Sequence, residues 1–95
     1  MTGEEFKALR LSFGLSQDKL ALYLGYGGNH STNRTTMDRY ETGKRVVPPY
    51  IARLMWLIGE YRSDMIQQGY RGEKNLMPKF PDWPAYQDDE IGEER

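Results

Sequence analysis

The chain has 95 residues, 38% hydrophobic and 28% charged, which at about 150 residues per domain is one domain with a small core. It has no cysteine and a single histidine, His30, excluding disulfide frameworks, thiolate or multi-histidine metal sites and cysteine nucleophiles. No apolar run approaches the roughly 18 residues of a membrane span, and the acidic start, Met1 to Glu5, does not read as a signal peptide. Composition therefore predicts a small cytoplasmic protein that is not an enzyme and needs no cofactor.

The formal charge of −1 hides an asymmetry. Residues 1–62 carry nine Lys/Arg against six acids, net +3; residues 63–95 carry four against eight, net −4. A mildly basic body with an acidic tail is a different electrostatic object from a neutral protein.

Thr2 is placed to cap a first helix, with Glu5 as its capping-box partner. Phe6, Leu9 and Phe13 recur there at helical spacing, and Gly14 suits a left-handed stop. Ser16 caps a second helix, Gln17 to Leu24, with Leu20, Ala21 and Leu24 as its apolar face. Residues 25–33 read as loop, with three glycines and four short polar residues. A third helix is expected over about Arg34 to Thr42, capped by Asn33 or else by Thr32, with Met37 and Tyr40 inward and Gly43 as its stop. Pro48 and Pro49 suit the start of a fourth. Its apolar stripe is Ile51, Leu54, Met55 and Ile58, and it runs to about residue 68, unbroken or interrupted at Gly59. These elements predict an all-α domain of four or five helices over residues 1–68. The remainder, 69–95, reads as an extension rich in proline, aromatic and acidic residues. Phe80, Trp83 and Tyr86 suggest that this extension lies against the body or a second chain. Truncation after about residue 70 is expected to leave a folded domain.

A helix pair joined by a glycine-containing turn has specific mechanics. The second helix enters the major groove and its N-terminal residues reach base edges, while the first crosses the backbone. Leu9-Arg10, Gly14-Leu15-Ser16-Gln17, Leu20-Ala21, Leu24-Gly25, Met37, Tyr40-Glu41-Thr42-Gly43-Lys44-Arg45 and Pro48 together resemble the Cro/C1-type helix-turn-helix domain of phage repressors, over about residues 4–62. The resemblance implies a lambda-repressor-like fold. It departs from the family in one respect. The family joins its motif helices by a turn of about four residues, whereas the interval from Gly25 to Glu41 is about six residues too long; the excess is expected in Tyr26–Thr32.

The resemblance also implies roles. Arg34, Thr35, Asp38 and Arg39 are expected to read bases. Gln17, Asn33, Thr36, Lys44 and Arg45 are expected on phosphates, Gln17 because it opens the second helix. Arg10 and Glu41 match a structural ion pair between helices one and three. His30 reads as a solvated loop residue, with a phosphate contact as the alternative; no metal site is expected. Gly25, Gly27 and Gly28 lack a following Gly-Lys-Ser/Thr and read as turn geometry. Trp56 and Leu57 fall off the core stripe and, extended by Tyr61, read as a dimer contact.

The expected function is sequence-specific binding of double-stranded DNA by a homodimer on an inverted repeat, as a bacterial or phage transcriptional regulator that represses by excluding polymerase. Three alternatives stay open: an antitoxin whose tail binds a toxin, a phage or plasmid accessory autoregulator such as an anti-CRISPR-associated repressor, and a protein-interaction module with a degenerate motif.

Overall fold

The computed structural model describes residues 1–72 and 76–79. Among them it is all-helical: α1 (Gly3–Phe13), α2 (Gln17–Tyr23), α3 (His30–Thr42) and α4 (Pro49–Gln67). Each boundary has a local chemical cause. Thr2 accepts from the Glu5 N–H while the Glu5 carboxylate accepts from the Thr2 N–H, a complete capping box. Gly14 closes α1 at φ 76°, a conformation that side-chain-bearing residues avoid. The Ser16 hydroxyl caps α2. Pro48 and Pro49 open α4, which passes Gly59 without a break.

The core joins Phe6, Phe13, Leu15, Leu20, Ala21, Tyr23, Met37, Tyr40, Val47, Ile51, Met55 and Ile58. α3 lies against both α1 and α2, and α4 packs on α1. α1 comes close to the last turn of α3. A Cβ built on Gly3 would stand 2.5 Å from the Glu41 carbonyl oxygen and 2.7 Å from that of Tyr40. One turn along the same face of α1, Phe6 meets Tyr40 edge-on, with ring centroids 5.5 Å apart.

The third helix is longer than its sequence pattern suggests. It begins at His30, four residues before Arg34, and its N-cap is Asn29, whose side chain accepts from the Thr32 N–H at 2.9 Å. Neither Asn33 nor Thr32 is the cap. The connection between α2 and α3 is therefore residues 24–29, and most of the excess length becomes helix instead of loop. Asparagine is among the best capping residues, and Asn33 reinforces the start from inside by donating its amide to the Gly28 carbonyl at 3.1 Å.

The body also extends past residue 68, the boundary that composition suggested. Met77 is 6% exposed and belongs to the core cluster. The Tyr23 hydroxyl donates to the Pro78 carbonyl. Arg62 lies over the Phe13 ring at 5.4 Å, donates to the Ser12 carbonyl at 2.8 Å and reaches the Met77 sulfur at 3.5 Å. Truncation after residue 70 would thus remove part of the core. Phe80, Trp83, Tyr86 and the acidic end lie outside the described residues.

Two stability measurements test these contacts. Gly3→Ala, which in an open helix would gain up to about 1 kcal/mol, is expected to lose about 1–3 kcal/mol here, because the obstructing atoms are backbone. Met77→Ala is expected to lose about 2 kcal/mol in urea denaturation.

Candidate nucleic-acid interface

The site is assembled where the first turn of α2 meets the outer flank of α3. Three hydrogen-bond donors converge on Glu41. Arg10 Nε donates at 2.5 Å and Nη2 at 3.4 Å, and Gln17 Nε2 donates at 3.2 Å. Arg10 Nη1 turns to the Leu15 carbonyl at 2.9 Å. The arginine and glutamate side chains are 11% and 5% exposed, so removing one would strand a buried charge, at a cost of about 3–5 kcal/mol. This network ties the end of α1, the start of α2 and the last turn of α3 together.

Outward from it, Ser31, Arg34, Thr35 and Asp38 recur at the three- and four-residue spacing of one helix face. With Gln17 they line a cleft of about 420 Å³. An adjoining cleft of about 510 Å³ adds Lys7, Ser16, Asp18 and His30. The opposite face of α3, Met37 and Tyr40, is buried. Of the four expected base readers, Arg34, Thr35 and Asp38 come together in the cleft; Arg39 is exposed on the neighbouring side of the helix. Lys44 and Arg45 are exposed in the segment after Gly43, where the Arg45 N–H returns to the Arg39 carbonyl at 3.1 Å.

Three expected phosphate contacts sit differently. Asn33 is only 3% exposed, and its amide donor serves Gly28; it faces inward because α3 starts a turn earlier than expected. Thr36 donates its hydroxyl proton to the Thr32 carbonyl at 3.0 Å, which leaves no proton for a phosphate oxygen, itself only an acceptor. Gln17 spends one of its two amide protons on Glu41.

His30 is the first residue of α3, not a loop residue. Its Nδ1 lies 2.7 Å from Asp18 Oδ2, with the histidine side chain 82% exposed. Burial pushes the Asp18 carboxyl upward. The Ser16 hydroxyl, the aspartate's own backbone N–H and the charges of His30 and Arg34 more than offset this and hold it below its ordinary value. At the other end of the connection, the Tyr26 and Tyr40 hydroxyls meet at 2.8 Å. Burial, together with that hydrogen bond, raises the Tyr26 pKa well above its usual range.

Trp56 is 50% exposed, Leu57 65% and Tyr61 37%, all three off the buried stripe of α4. Sequence reasoning missed Ser31, Lys7, Gly3 and the tyrosine pair. Asn29 three residues before Thr32 was the available signal for Ser31, and the i, i+3 spacing of Lys7 and Arg10 for Lys7. Gly3 and the tyrosines are defined by distant neighbours and carry no local signal.

The chain matches no protein-family model, no curated protein and no solved structure. Among the described residues, no helix is long and apolar enough to cross a membrane.

The lowered Asp18 pKa has a definite sign. A folded-state value below the ordinary 3.8 stabilises the fold above that pH, and the contribution is lost as pH falls through the lowered value. Asp18→Asn is therefore expected to unfold at a lower temperature than the parent at neutral pH, with the gap closing under acid conditions. Thermal denaturation followed across that range checks it.

Proposed function

We propose that the chain binds double-stranded DNA sequence-specifically and acts as a transcriptional regulator, in the manner of a lambda-repressor-like helix-turn-helix domain. One observation carries the reading: α3 has a fully buried apolar side and an exposed flank of short polar and basic residues, Ser31, Arg34, Thr35, Asp38 and Arg39. A major groove roughly 12 Å wide admits one such helix.

The chemistry divides along that flank. The Arg34 guanidinium can fork onto guanine O6 and N7 and the Thr35 methyl can touch a thymine, while Asp38 can accept from a cytosine amine. Lys44 and Arg45, past the end of α3, supply charge to phosphates and fix register without reading sequence. The amide proton that Gln17 does not give to Glu41 can go to a further phosphate. Because Glu41 grips both Arg10 and Gln17, the phosphate-facing turn and the reading helix are held as one rigid unit. One copy reads only a few base pairs and its body is mildly basic, so a two-fold homodimer on an inverted repeat supplies the missing affinity. Occupying a promoter in that form excludes polymerase, which makes the regulator a repressor.

Selection of bound fragments from a random duplex library, followed by fluorescence anisotropy, tests the reading. Arg34→Ala is expected to relax discrimination at one position by about 1–3 kcal/mol, whereas Lys44→Ala weakens every sequence alike and lowers the salt slope by about one. A parent protein that binds no selected duplex more tightly than random DNA overturns it.

A further inference from the structure

α4 buries Ile51, Met55 and Ile58, and a helix with one buried stripe normally turns a polar side to water. This one does not. Tyr50, Leu57 and Tyr61, at i, i+7 and i+11, form an exposed apolar line, with Tyr50 68% and Leu57 65% exposed. Trp56 stands across from that line. Between them run three exposed charged residues with the same spacing, Arg53, Glu60 and Asp64. The charges are thus framed by apolar side chains. Any partner that covers the frame desolvates them, so they must be paired across the seam.

We infer that this face of α4 docks on the same face of a second copy, antiparallel, with the two-fold axis near Leu57. The charge order selects the occupant and its direction. A parallel two-fold pairing would bring Arg53 level with the partner's Arg53 and Glu60 level with the partner's Glu60, like charge at the height of like charge. In the antiparallel arrangement Arg53 lies about 6 Å before the axis and Glu60 about 4.5 Å after it, at 1.5 Å rise per residue. Arg53 therefore comes alongside the partner's Glu60, twice by symmetry. Tyr50 comes level with the partner's Asp64 on the neighbouring line, a hydroxyl donor at the height of a carboxylate. Within one copy Glu60 and Asp64 are like charges at i, i+4, an unfavourable spacing, and the partner's Arg53 relieves it. The two-fold axis is perpendicular to both helices and keeps the charged lines on the same side of the seam, so the pairs form without rotating either helix.

This interface rests on the homodimer in the proposed function, but its test reads assembly and not DNA. Sedimentation equilibrium of the full chain is expected to show a monomer–dimer equilibrium. Arg53→Glu and Glu60→Arg each should raise the dissociation constant about tenfold or more. The double variant, which restores opposite charges across an antiparallel seam, should return to within about threefold of the parent. Circular dichroism confirms folding of each variant. A parent that stays monomeric, single variants that dimerise like the parent, or a double variant as weak as the singles overturns the pairing. Loss of sequence-specific DNA binding with dimerisation intact would instead count against the functional reading alone.

Discussion

The position of α3 depends on how closely α1 crosses its last turn. Only a residue without a Cβ fits at Gly3, because the atoms it faces are carbonyls of α3 itself. That approach lets Phe6 reach Tyr40 and Arg10 reach Glu41 along the same face of α1. A hydrophobic contact alone could slide. An arginine held at once by a carboxylate and by the Leu15 carbonyl cannot slide far without stranding a buried charge. The outer flank of α3 can afford to be wholly polar because its inner face and its C-terminal turn are held so firmly.

The same network has a consequence for the proposed interface. Gln17 is part of the support of α3 as well as a resident of the cleft. Asp18, one residue on, takes the His30 ring and feels the Arg34 charge. The first turn of α2 is thereby tied to α3 through two independent contacts, one to each end of the longer helix. On the proposed reading, this preorganises the phosphate-facing and base-facing groups before any duplex arrives, which lowers the ordering cost of binding.

Sequence and structure disagree where local signals competed. Three glycines within the stretch from Gly25 to Asn33 read as loop, yet the chain enters helix at His30 once Asn29 caps it. Ser, Thr and Asn are neutral to unfavourable inside helices because they can bond their own backbone, and that weak bias argued for a late start. Tertiary contacts reversed it: Asn33 is buried and holds the Gly28 carbonyl. The acidic, proline-rich composition after Gly69 likewise concealed Met77, which fills a place in the core beside Tyr23 and Arg62.

What the sequence determined by itself was everything governed by neighbours a few residues away. The Thr2–Glu5 box, the Ser16 cap, the glycine stops at 14 and 43, the proline start of α4 and the inward spacing of Met37 and Tyr40 all belong here, since capping and helical periodicity act within one or two turns. The Arg10–Glu41 pair was legible only through resemblance. The tertiary structure alone decided which polar residues of α3 face inward, that Gly3 must lack a side chain, that Tyr26 meets Tyr40 and that residues 76–78 complete the core. The last three depend on atoms brought together across 14 to 55 positions of chain, a separation over which no local propensity carries information.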